Sequence, residues 1–275
     1  MIPSKTVTVL EPQSGWAPIT WRELLQYRDL FYFLVWRDIK VRYKQTVLGA
    51  LWAVIQPVMY MVVFSIFFGR LAGIPSDGLP YPIFFYAGFL PWMLFSSAVT
   101  QSSNSVVGSA HLITKVYFPR IIIPTASVGS ALVDFAVASI VLGVLMLYYG
   151  IAPGVGLLMA PLFVAGVVVA ALGVGLLIAA LNVAYRDFRY VVTFLLQLWL
   201  FLTPIVYPVS LVPERWQWLM RLNPLTGLIE GFRAALLNRP IDWGGVAVGF
   251  AITAVVLAVG AAYFRSTERS FADIV

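Results

Sequence analysis

Residues 36–57 read WRDIKVRYKQTVLGALWAVIQP, and the change of character within this stretch decides the fold. Its first half puts Arg37, Lys40, Arg42 and Lys44 within eight residues, and its second half opens an apolar run that continues to Phe68. The cationic part belongs at a phospholipid headgroup surface and the apolar part in hydrocarbon. Lysine and arginine flanking a membrane helix stay on the cytoplasmic side, so the stretch predicts both a span and its direction.

Composition extends this to the whole chain. Of its 275 residues, 61% are hydrophobic and 11% charged, whereas soluble domains carry roughly one quarter charged residues. The mean hydropathy is +0.90. Several apolar runs exceed the ~20 residues that a helix needs to cross a bilayer. Strand-length alternation of apolar and polar residues is absent, which argues against a membrane β-barrel. The net charge of +6 sits in segments flanking the apolar runs and reads as lipid anchoring and topology, not nucleic-acid binding. With no cysteine and a single histidine, His111, the chain has no disulfide, thiolate metal site or histidine-rich metal centre.

The expected fold is an all-α integral membrane protein with six transmembrane helices. Residues 1–20 carry Pro3, Pro12 and Pro18 without an apolar signal-peptide core and read as a cytoplasmic tail. In residues 21–35, WRELLQYRDLFYFLV, apolar and charged positions interleave as in an amphipathic helix lying in the inner headgroup plane, for anchoring or for docking a partner. The spans are expected at about 47–68, 83–100, 121–148, 155–181, 191–207 and 245–264, with the polar run from Gln101 ending the second. Residues 210–244 are too polar to cross twice; two helical pieces broken at Asn223-Pro224 predict a re-entrant hairpin dipping from the outer face. Residues 265–275 form a second cytoplasmic tail. On this topology thirteen of the eighteen lysines and arginines lie inside, which supports two cytoplasmic termini.

No Gly-x-x-x-x-Gly-Lys-Ser/Thr run occurs, so the chain has no P-loop, and no nucleophile–base pair is visible. Charge within the spans is nearly confined to Asp134. A carboxylate there must face protein, either as an ion or proton site or, the blander reading, as a neutral packing residue bonded to Ser130 one turn earlier. On the first span Gln56, Tyr60, Phe64 and Phe67 fall within about 80° of arc at helical spacing, and Phe194, Gln197 and Phe201 do likewise on the fifth. Such faces suit stacking against sugar rings, although lipid-facing aromatics are the commoner case. Gly166, Gly173, Gly245 and Gly249 mark close helix packing. A faint internal echo links Trp36–Lys40 and Pro57-Val-Met-Tyr60 to Tyr185–Arg189 and Pro204-Ile-Val-Tyr207. Either the two spans line one path, or the echo is chance.

Three separated motifs, RDIKVRYKQTVLGALWAVIQP, HLITKVYFPRIIIP and TPIVYP followed by NPLTGLIEGFR, resemble the membrane subunits of type-2 ABC exporters for polysaccharides and polyol phosphates, over about Trp21 to Phe264. The resemblance implies a homodimeric permease in the bacterial inner membrane, paired with two copies of a separate ATPase subunit that holds ATP and Mg. It implies a substrate such as O-antigen, capsule or teichoic acid on an undecaprenyl-type carrier. By similarity the connector residues His111, Leu112, Ile113, Lys115, Tyr117 and Phe118 meet the ATPase. Trp216, Trp218, Asn223, Pro224, Glu230 and Arg233 belong to outer gate helices. Gln56, Tyr60, Phe64, Phe67, Phe194, Gln197, Phe201 and Tyr207 line the channel. Arg37, Lys40, Arg42 and Arg186 mark inner entrances, where guanidinium groups suit a carrier pyrophosphate. No cofactor is expected in this chain and no catalysis by it. A permease of the same fold for a drug or smaller lipid, or an ion-coupled carrier using Asp134, are the competing classes.

Overall fold

The structure, a computed structural model, describes residues 27–44, 49–116, 118–268 and 271. The expected N-terminal tail, the first part of the interface helix, Tyr117 and most of the final tail lie outside the described residues. Among the described residues the chain is all-helical, without strands. Five helices are long and apolar enough to cross a bilayer, so this is an integral membrane protein.

Helix α1, Arg28–Lys44, runs straight through the basic stretch instead of ending before it. After a short turn at Gly49–Leu51, α2 spans Trp52–Phe64 and continues as a π-helical segment, Ser65–Leu71. Helix α3, Tyr81–Gly108, passes through the polar run expected to stop it. Most polar side chains there find a partner on their own helix: Gln101 Nε2 donates to Ser97 Oγ (2.9 Å), Asn104 Nδ2 to the Thr100 carbonyl (2.8 Å) and Ser105 Oγ to the Ser102 carbonyl (2.7 Å), while the Ser102 hydroxyl has none. Satisfied in this way, the bonded groups cost the helix little. The one-turn α4, Ala110–Ile113, leads to α5, Ile122–Tyr148. A 3₁₀ turn at Val155–Met159 opens α6, Ala160–Ala184.

Helix α7, Phe188–Leu202, is apolar but has only 15 residues, about 22 Å of rise. It stops short of the expected Tyr207 because Thr203 precedes Pro204 and is extended (ψ 138°), as residues before proline prefer. Beyond it lie α8, Glu214–Arg221, and α9, Pro224–Leu236, broken apart at Asn223-Pro224 as the sequence predicts. Asn223 accepts from the Leu225 amide (3.1 Å) and caps α9. Asp242 accepts from the Gly245 amide (3.1 Å) and starts α10, Trp243–Thr267.

Helices α3, α6, α9 and α10 form the tight half of the bundle, and glycines set its spacing. A Cβ on Gly173 of α6 would meet the Leu257 amide nitrogen at 2.7 Å, and one on Gly260 of α10 would meet the Gly173 carbonyl at 2.1 Å. A Cβ on Gly249 would reach the Pro224 carbonyl at 2.9 Å. In lipid, such backbone contact and dispersion replace the hydrophobic effect as the force between helices. Helices α2 and α7 are the loose half, with most of their surface uncovered.

One end of the bundle gathers α1, the α3–α5 connector, the turn after α6 and the end of α10 around Leu34, Phe118, Ile122, Val183, Phe264 and Phe271. This end carries Arg37, Lys40, Arg42, Lys44, Lys115, Arg120, Arg186, Arg189 and Arg265, and is called the basic end below. The loop after α2, the turn after α5 and the segment from Thr203 to Asp242 form the other end.

Candidate functional site

A cavity of about 820 Å³ opens between α2, α3 and α7. Gln56 and Tyr60 of α2 reach it, as do Thr193 and Gln197 of α7. Its remaining wall is one stripe of α3, Phe89, Trp92, Met93, Ser96, Ser97 and Thr100, spaced at three and four residues so that all share a face. With Gln101 also present, the lining mixes three amides and several hydroxyls with aromatic rings. Tyr60 packs its ring 5.0 Å from that of Phe89.

The floor of the cavity, toward the basic end, is an ionic cluster. Arg42 of α1 meets the Asp134 carboxylate of α5 at 2.8 Å, and the Tyr43 hydroxyl donates to the same carboxylate. Burial first, and then the bond to Asp134, push the Tyr43 pKa up to about 12, so Tyr43 remains a donor at any cellular pH. Asp134 is buried at 6% exposure and makes this pair across helices instead of turning back to Ser130. The Ser130 hydroxyl is taken up by Gln101 Oε1 and by the Ser127 carbonyl.

The predicted channel residues separate. Gln56, Tyr60 and Gln197 line the cavity. Phe64 instead stacks on Phe85 (4.8 Å between centroids) and Phe68 (5.2 Å) and packs against the core. Phe67, Phe194 and Phe201 are exposed outside the cavity lining. Tyr207, beyond the end of α7, donates to the Phe201 carbonyl (3.0 Å). The internal echo has no matching geometry: Trp36–Lys40 lies within a helix, whereas Arg186 and Asp187 lie in the turn before one. Pro57 likewise sits inside α2, whereas Pro204 follows α7.

Among the predicted entrance cations, Arg37 pairs with Asp38 (2.8 Å), Lys40 and Arg186 are exposed, and Arg42 belongs to the Asp134 cluster. In the connector His111 and Lys115 are exposed and Leu112 is half-buried, whereas Ile113 and Phe118 point into the core and anchor the segment. A residue that the sequence did not single out braces it from behind: Glu268, at the end of α10, accepts from the Arg120 backbone amide (3.0 Å) and also bonds the Arg120 side chain. At the opposite end Trp216 and Trp218 are exposed. Asn223 ties the end of α7 to the start of α9, accepting from Trp199 Nε1 (3.1 Å) and donating to Thr203 Oγ1 (2.9 Å). Pro224 is buried at the first position of α9. Arg233 is buried beside Glu230 (2.6 Å), stacked over the Phe84 ring, and donates to the Pro204 and Ile205 carbonyls (3.0 and 3.2 Å).

Phe89 and Trp92 went unremarked in the sequence although their stripe was there to find. Tyr43 had no such signal, because its partner lies 91 residues away.

A multi-helix membrane bundle with an amphiphilic cavity and no nucleotide loop is the architecture of a transporter's membrane subunit. The chain belongs to the ABC-2 type transporter family, which matches residues 29–237. It is similar to the O-antigen export system permease protein RfbA of Myxococcus xanthus, 31% identical, with 92% of this chain and 97% of that protein covered. The permease of the same name from Klebsiella pneumoniae is 29% identical over 90% of this chain and 95% of its own length. The polysialic acid transport protein KpsM of Escherichia coli is 25% identical, covering 85% and 92%.

Proposed function

We propose that the chain is the permease subunit of an ATP-driven exporter that moves a lipid-linked polysaccharide across the bacterial inner membrane. The observation that carries this is the cavity lining. Above the paired Arg42–Asp134 floor, amides and hydroxyls interleaved with Tyr60, Phe89 and Trp92 offer hydrogen bonds and ring faces, as a polyhydroxylated chain that must slide requires. The relatives named for O-antigen export and polysialic acid transport support the same class of cargo.

The open flanks of α2 and α7 support a homodimer, in which a second copy covers the uncovered faces and completes the wall of the path. Power comes from two copies of a separate ATPase subunit, so no catalytic role falls to this chain. ATP-driven closure of those subunits pushes on the exposed His111 and Lys115 of the connector, and Glu268 transmits the push to α10. The basic end faces the cytoplasm with both termini, α7 serves as a sixth, short crossing, and α8 with α9 dips back from the outer face as a re-entrant hairpin. Arg37, Lys40 and Arg186 receive the undecaprenyl-type pyrophosphate at the entrance. The pairing of Asp134 with Arg42 speaks against an ion-coupled carrier built on that carboxylate.

Removal of the chain from cells tests the reading. A lipid-linked glycan should accumulate on the cytoplasmic side while the surface polymer disappears. Unchanged surface glycan together with loss of efflux of a small drug or lipid would sink it.

A further inference from the structure

A second cavity, of about 400 Å³, lies at the end of the bundle away from the basic one, bounded by α8, α9 and the turn at Asp77. Asp77 adopts a left-handed backbone (φ 50°), held by Ser210 donating to its carboxylate (2.7 Å) and Arg239 donating to its carbonyl (3.0 Å). The charges lining the cavity cancel: Arg221 stands beside Asp242, Arg233 beside Glu230, and Arg239 beside Asp77. Two buried polar atoms in the lining have no hydrogen-bond partner, the Thr226 hydroxyl (residue 6% exposed) and Arg233 Nε (3% exposed). Both residues belong to the cavity wall, and because buried polar atoms are nearly always bonded, the two mark incomplete pairing within that wall. Leu79, Val209 and Met220 add apolar wall, and Gln217 adds an amide.

We infer that this cavity binds one neutral sugar unit of the exported chain, an assignment that rests on the polysaccharide reading above. A sugar ring presents hydroxyls that both donate and accept, which suits alternating carboxylate, guanidinium, amide and hydroxyl groups, and its C–H face suits the apolar wall. A phosphate or uronate would meet three carboxylates, and a cation three arginines; the balanced set disfavours both. The volume lies at the small end of the ~300–1,000 Å³ typical of ligand sites. The site is distinct from the larger cavity: Phe84 faces it, whereas Phe89 and Trp92 of the same helix face the other. Arg233 touches this site and also holds the Pro204 and Ile205 carbonyls just beyond α7, so an arriving sugar meets the residue that fastens that helix end.

Saturation-transfer NMR on the full chain in lipid nanodiscs tests this, with methyl glycosides of glucose, galactose, mannose and rhamnose as probes and glucuronate as the anionic control. At least one neutral glycoside should receive saturation and glucuronate none. Gln217→Leu, which removes the lining amide, should weaken the signal about fivefold, the worth of one hydrogen bond. Ala234→Leu, which fills the cavity, should abolish it. Silence from all four neutral probes, preference for glucuronate, or equal binding by both variants overturns the site. Glycan accumulation in cells lacking the chain, with a silent cavity, refutes this site alone; absence of accumulation refutes the transport reading beneath it.

Discussion

Helices α2 and α3 enter the membrane with nearly the same mean hydropathy, 1.7 and 1.5, yet 6% of the most apolar window of α2 is buried within the protein and 78% of that of α3. Hydropathy reports that a segment tolerates hydrocarbon, not what covers it. Helix α3 lies in the tight half, where glycines of neighbouring helices bring backbones into contact. Helix α2, like α7, offers one face to α3 and leaves the rest for lipid, a second copy or a passing substrate. The rigid half holds position and the loosely held half borders the cavity.

This contrast can be broken most severely at the glycine contacts. Gly173→Val drives a side chain into the Leu257 backbone and should destabilise the bundle by about 3 kcal/mol, the upper range for overpacking. An exposed α2 position such as Val62→Leu should shift the detergent melting temperature hardly at all. Equal losses at both would erase the distinction between the halves.

Asp134→Ala should come next, because it removes the carboxylate that fastens α1 to α5. With Arg42 41% exposed, a cost of about 2 kcal/mol is expected, between the ranges for buried and surface pairs. Cysteine labelling on α1 should rise in parallel.

Tyr43→Phe should be milder, about 1 kcal/mol for one hydrogen bond. Its pKa is raised from 10.0 to about 12 by burial and by Asp134. The bond therefore stabilises the fold fully below pH 10, and that contribution fades as pH rises through 12. The alkaline melting curves of wild type and Tyr43→Phe should converge over that window; a constant gap would contradict the sign.

Smallest in stability are Tyr60→Ala and Gln197→Leu. Both line the cavity, so glycan export should fall several-fold while stability changes by no more than the ~0.5 kcal/mol expected of exposed positions. Phe67→Ala, outside the lining, should leave export unchanged. If Phe67→Ala matched Tyr60→Ala, the path would run along a different face of α2.

The helices and their basic flanks were legible because both depend on local chemistry. Apolar runs of sufficient length and the break at Asn223-Pro224 need only neighbouring residues. The end of α7 was legible too, in Thr203-Pro204, but was overrun by counting apolar residues through to Tyr207. The aromatic faces were a harder case. Spacing put Tyr60, Phe64 and Phe67 on one arc, and packing then assigned Tyr60 to a cavity, Phe64 to the core and Phe67 to the outside, because a helix face meets different neighbours along its length.

The sequence by itself determined that the chain lives in a membrane, that its secondary structure is helical and which end is basic, since transfer free energy and charge placement are set residue by residue. It predicted six spans, whereas five described helices are long and apolar enough and the sixth candidate, α7, is short. Only the tertiary structure decided that residues 36–44 belong to a helix pinned through Arg42 and Tyr43 to Asp134, that the α3 stripe faces a cavity, and that Arg233 is buried beneath a second one. Those outcomes depend on contacts between positions far apart in the chain, and such contacts leave no local period or composition to read.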